Sequence, residues 1–176
     1  NIQFDKEIPK VLYDNKISLV FSTYQASRLM IIGCTDGNIL QQIPIPIKKP
    51  MGIAIRENEL AVAALDEIHF FSGETKLVDS LKYNEKKIDQ VYVFRGSYNT
   101  SSLDIHDITF CNNELWGVNT LFSCLCTFSF NSNFIPKWQP YFIDELIPED
   151  RCHLNGLALY NGKPKYVTAL SSTNPK

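Results

Sequence analysis

Apolar residues along this chain fall in short runs cut by polar turns, and the runs are rich in β-branched and aromatic side chains, the pattern of strands. Helical periodicity is almost absent. Three of the runs read as copies of one another: GIAI at 52–55, DITF at 107–110 and GLAL at 156–159. Each precedes a polar turn and a second apolar run, LAVAA at 60–64, LWGVN at 115–119 and YVTA at 166–169. The starts lie 55 and 49 residues apart (52 to 107, 107 to 156). A repeat near this length with several short strands per copy predicts a β-propeller blade. The lead-ins Asn15-Lys16-Ile17, Asn58-Glu59-Leu60 and Asn113-Glu114-Leu115 suggest a common register for three copies.

Extending each copy gives an all-β fold of four-stranded antiparallel blades at approximately 9–45, 50–82, 104–139 and 153–176. The first unit would hold strands at 17–23, 28–33 and 38–43, the last two joined by a turn at Asp36-Gly37. The second would run through 52–55, 60–64, 67–71 and 76–81, and the third through 107–110, 115–119, 123–130 and 134–138. The fourth stops after two strands, so the expectation is an incomplete propeller of about three and a half blades, against the four to eight of a closed ring. Two stretches fall outside the repeat. Residues 83–102 read as a polar connection, and 140–151 has room for one helical turn before Pro148.

The chain has 176 residues, 44% of them hydrophobic, enough to bury a sizeable core. Seventeen Lys and Arg against nineteen Asp and Glu give a net charge of −2 without a basic block, which argues against nucleic acid as a partner. No apolar stretch approaches the roughly 20 residues of a membrane span, and the expected location is cytoplasmic. Five cysteines form an odd set of low density, as in a reducing compartment. Cys124 and Cys126 lie two apart in a strand-like run and leave the same face, poor geometry for a mutual bond. No GxSxG elbow, HExxH helix, P-loop or dinucleotide glycine fingerprint is present.

In an antiparallel pair the start of one strand lies beside the finish of the next. Applied to each unit, this gathers Asp104, His106, Asp107, Asn119, His153, Asn155, Ser171, Ser172 and Thr173 at one end of the fold, with Tyr24 and Gln25 at the equivalent end of the first unit. First strands line a propeller's channel, so these groups would surround its mouth. His106, Asp107 and His153 are then candidate catalytic residues, and Tyr24, Gln25, Asn119 and Arg151 candidate ligand-binding residues. The alternative is that Asp, Asn, Ser and Thr serve as turn formers. Turn chemistry does not account for two histidines in corresponding places. His69 lies within a strand and reads as structural, and Arg151 has two readings, a clamp for an anion or a partner of Glu149 or Asp150. Trp116 and Trp138 are expected to pack between blades.

The segments FSTYQASRL (21–29), PMGIAI (50–55), LDIHDITF (103–110), LWGVNTLFSCL (115–125), PEDRCHLNGLAL (148–159) and YVTALSSTN (166–174) resemble an uncharacterised bacterial family of conserved hypothetical β-propeller proteins. The resemblance implies a propeller that continues beyond YVTAL. One departure is Ser101, where the family pattern has Gly. HLNGLAL followed by YVTA is also similar to a strand pair of calcium-dependent lactonases of the gluconolactonase and paraoxonase type. That similarity implies Asn155 as a metal ligand, with Asp104 or Asp107 supplying acidic oxygen and a divalent metal such as calcium as cofactor. The expected function is a small-molecule or metal binding site at the channel mouth. Alternatives are a metal-dependent hydrolase of lactonase type and a protein-interaction scaffold with a protein partner.

Overall fold

The computed structural model describes residues 3–83 and 86–173. Along the chain come α1 (Ile8–Asn15), β1 (Leu19–Thr23), β2 (Arg28–Cys34), β3 (Leu40–Pro46), β4 (Ile53–Arg56), β5 (Glu59–Ala63) and β6 (Glu67–Gly73). A 3₁₀ helix (Thr75–Ser80) leads to β7 (Lys82–Tyr83), β8 (Lys86–Lys87) and β9 (Tyr92–Asn99). Then follow β10 (Ile105–Cys111), β11 (Glu114–Asn119), β12 (Cys124–Ser129), β13 (Ser132–Trp138), β14 (Leu154–Tyr160) and β15 (Lys163–Ala169). The protein is all-β apart from these short helices, and its paired strands are antiparallel. Two compact units arise: residues 1–50 with 74–91, and residues 51–73 with 92–176.

In the first unit β1, β2 and β3 form a three-stranded meander, and α1 packs on β2. Asp36 Oδ1 accepts the N–H groups of Asn38 and Ile39, and Gly37 turns the chain at φ 76° between β2 and β3, as expected for Asp-Gly. The helix was not expected. Asn15-Lys16 caps it instead of leading into a strand: Lys16 adopts φ 52°, and the cap N–H reaches the carbonyls of Leu12 and Tyr13. Two turns carrying only Pro9 and Leu12 as buried anchors are too short to imprint a helical period on the sequence.

The second unit contains two four-stranded sheets, β4-β5-β6-β9 and β10-β11-β12-β13, and the two-stranded β14-β15. The expected strand at 76–81 is a correction: that segment is mostly 3₁₀ helix, and the fourth strand is β9, inside the stretch read as a polar connection. β9 is an edge strand whose side chains are half or fully exposed, so Arg95, Gly96, Ser97 and Asn99 dilute its apolar signal. The segment at 140–151 contains turns and no helix; it is pinned by buried Ile143, whose N–H bonds the Pro140 carbonyl.

Two apolar clusters hold this unit together. One joins Ala54, Ala61, Ala63 and Ile68 to Leu103, Ile105, Ile108, Cys124 and Cys126. The other joins Val118 and Leu125 to Ile143, Cys152 and Leu154, with Trp116 packed against it. Trp138 is 43% exposed, less enclosed than its size suggested. All five thiols are free, and burial pushes Cys124 up to about 12. Ser101 holds φ 59°, a left-handed position that glycine adopts without strain.

β10 runs beside both β4 and β14. At its start, a Cβ on Gly52 would lie 2.7 Å from Asp107 Cα, so the two backbones touch. At its far end, Arg56 Nη1 donates to the Asn112 carbonyl at 2.6 Å and the guanidinium covers the Phe110 ring. Towards β14, Asp107 accepts from Leu157 N–H at the start, and Cys111 Sγ donates to the Gly162 carbonyl at the end. Starts therefore lie beside starts and ends beside ends. The three first strands run parallel, which collects the residues at their starts.

Candidate functional site: a clamped histidine pair

Two backbone irregularities shape the start of β10 and β14. Ile105 pairs with Asn119 and Asp107 with Val118, so His106 is the extra residue of a β-bulge. In β14 the register slips between Leu154 and Leu157, across Asn155 and Gly156. Bulges break the ladder and re-aim side chains. Offsetting the third copy by 49 residues places Asp104 on His153 and His106 on Asn155. The backbone agrees: Asp104 has φ 54° and His153 φ 47°, and their carbonyls accept Thr120 N–H and Leu170 N–H from the chain just after the partner strand. The two histidines are thus not in corresponding places, as the sequence suggested, but two positions apart in the repeat.

That offset brings them together. The His106 and His153 rings meet edge to face, with centroids 4.8 Å apart and planes at 86°. His106 Nε2 lies 3.2 Å from Asp104 Oδ2, and His153 Nδ1 lies 2.6 Å from Asp150 Oδ2. A carboxylate accepts only, so each ring nitrogen facing one carries the proton. His106 Nδ1 and His153 Nε2 remain for other work. Asp150 also has a left-handed backbone, φ 48°, held by its N–H to the Leu121 carbonyl. Three of the four residues in this constellation occupy a region that costs a non-glycine residue about 1–3 kcal/mol. Asp150 Oδ1 is buried with no hydrogen-bond partner among the described residues, a further unfavourable feature at the same point.

Asp107 stands beside the pair as a structural staple. Its Oδ1 accepts Ile108 N–H and its Oδ2 accepts Leu157 N–H across to β14, both at 2.9 Å. Burial pushes its carboxyl above the ordinary value, against the downward pull of those two bonds. Asn119 is fully buried, and strand alternation turns it away from the face on which Val118 meets Leu154. Its Oδ1 accepts Phe122 N–H, so it shapes a turn, while its Nδ2 finds no partner among the described residues. Arg151 is held by Asp144 at 2.6 Å and Glu149 at 3.1 Å, with its side chain only 9% exposed. Tyr24 and Gln25 lie in the β1–β2 turn of the other unit, where Lys49 sits over the Tyr24 ring. Ser171 and Thr173 bond each other.

His69 keeps a structural role, bonded to Glu67 at 3.0 Å and flanked by Phe71 and Phe94. Asp150 and Thr120 escaped the sequence reading. Thr120, fully buried, donates to the Leu154 carbonyl at 2.5 Å and so fixes the residue after His153. Asp150 was legible only as a partner for Arg151, and nothing in its local sequence signals the turn that aims it at His153. The residues do not fit calcium. Asp104 is engaged by His106, Asn155 is exposed, and among the described residues no three His, Cys, Asp or Glu side chains are grouped to hold an ion. Two depressions of about 340 Å³ are lined by neither histidine: one around Tyr98, Phe130 and Asn133, the other around Trp138, Phe142, Leu154, Ser171 and Ser172, the last two from the expected cluster.

These features define a class: an all-β protein of antiparallel meander sheets, with two carboxylate-clamped imidazoles meeting where first strands begin. The chain belongs to the family described as a domain of unknown function (DUF4915), whose model matches residues 6–176. No curated protein matches it significantly. Among the described residues, no helix is long and apolar enough to cross a membrane.

Proposed function

We propose that the second unit is built as propeller blades, with β4, β10 and β14 innermost, and that the His106–His153 pair is its small-molecule binding site at the channel mouth. The parallel run of these three strands supports the blade reading, as does the repeated bond from the end of the second strand back to Asp104 or His153. The single observation that carries the site is the contact of two imidazoles from separate sheets, each with one nitrogen on a carboxylate and one left over. Such a ring presents its other nitrogen in a fixed direction, ready to accept from or coordinate a ligand. The accompanying backbone strain is the kind that surrounding structure sustains at binding sites.

The test is a ligand-observed NMR screen of polar metabolites against the protein and a His106→Ala/His153→Ala variant. Compounds that bind the first and not the second are expected. Compounds that bind both equally would remove the pair from the binding site.

A further inference from the structure

Beyond holding a ligand, the pair has the chemistry of a metal centre. With metal–nitrogen bonds of about 2.0–2.1 Å, two imidazoles on one ion at a square or tetrahedral angle have centroids roughly 4.5–5.2 Å apart. The observed separation is 4.8 Å. Metal-bound histidines characteristically give their other ring N–H to a carboxylate, which fixes the tautomer and turns the free nitrogen to the ion. Both rings have that arrangement, through Asp104 and Asp150. The charge on the rings favours a cation, since each is backed by a carboxylate, Asp104 or Asp150, while Arg151 is held by Asp144 and Glu149. The buried Asp150 Oδ1 adds negative charge that has no hydrogen-bond partner among the described residues.

We propose that His106 Nδ1 and His153 Nε2 together bind one divalent first-row transition-metal ion, with Asp104 and Asp150 holding the rings in position. Imidazole nitrogen selects such ions over calcium or magnesium. With two protein donors, water or the small molecule would fill the remaining positions, making the site an open one. The proposal rests on the reading of the pair as the ligand site.

Calorimetric titration with Ni²⁺ tests it, because the chain contains only three histidines. One ion is expected per chain, weakened at least tenfold by His106→Ala or His153→Ala and unchanged by His69→Gln. A second measurement on the unaltered protein covers the case in which a variant does not fold. In long-range ¹H–¹⁵N spectra with Zn²⁺, His106 Nδ1 and His153 Nε2 should shift while His106 Nε2 and His153 Nδ1 keep their protons. Saturation that survives either alanine substitution, no saturable binding, or a shift at the carboxylate-bonded nitrogens would overturn the metal site. Loss of metabolite binding in the double variant without any metal binding overturns only this proposal; retained metabolite binding overturns the pair as a site altogether.

Discussion

Besides its sheet partner β11, strand β10 runs beside β4 and β14, and the two contacts differ. Towards β4 the contact is close and mostly apolar: Gly52 lies backbone to backbone with Asp107, Ala54, Ala61 and Ala63 pack with Ile105 and Ile108, and the one polar bridge described is Arg56 to the Asn112 carbonyl at the far end. Towards β14 the contact is threaded with polar groups: the Asp107–Leu157 bond, the Thr120–Leu154 bond and the clamped histidines. Small residues permit a tight, inert seam, whereas a seam bridged by side chains keeps separations at which ring nitrogens remain available. One strand therefore carries a stability face and a chemistry face. Substitutions on the first side should cost folding, and substitutions of the histidines on the second should cost binding.

The sharpest contrast comes from Gly52→Val. Its Cβ would meet Asp107 Cα and Ile108 N at 2.7 Å, backbone atoms with little room to give. We expect a loss of about 3 kcal/mol or more in urea unfolding. A loss below about 1 kcal/mol would show that the seam is loose. Next is Thr120→Val, which keeps the shape but removes the donor to the buried Leu154 carbonyl, for an expected loss of about 1–3 kcal/mol. His106→Ala, on a half-buried ring at a bulge, should change stability by less than about 1 kcal/mol while abolishing binding. A larger folding loss with binding retained would reverse the assignment of faces.

The cysteines give the smallest effect. Burial raises Cys124 from 9.0 to about 12, so its neutral thiol favours the folded state fully below pH 9 and loses that contribution as pH rises towards 12. Unfolding midpoints should fall across that window, and Cys124→Ala should flatten the decline. In native protein at pH 8, iodoacetamide should modify Cys34 and spare Cys124 and Cys126. Equal labelling of all three would indicate that the apolar cluster around Cys124 and Cys126 opens.

Much of the second unit was legible because its first and second strands are bare apolar runs separated by two-residue polar turns. GIAI, DITF and GLAL each begin or form the body of β4, β10 and β14. β9 was not legible, since an edge strand has no need of a continuous apolar face. α1 was hidden because two helical turns cannot show a period, and its cap mimics a strand lead-in. Among the candidate residues, His106 and His153 lie ring against ring, with Asp104 on His106. Their pairing was invisible because it depends on a bulge at His106 and on the left-handed turns at Asp104, Asp150 and His153, features that shift a side chain by one position without changing the apolar pattern. Asn155, a candidate from a resemblance, lies exposed, and Asn119 and Arg151 are engaged by local structure.

The most direct measurement is the solution contact between the two imidazoles. In protein with ¹⁵N-labelled histidine at neutral pH, the account predicts nuclear Overhauser effects between the His106 and His153 rings, with His106 protonated at Nε2 and His153 at Nδ1. Absence of any ring-to-ring effect, with both histidines averaging freely between tautomers, would contradict it.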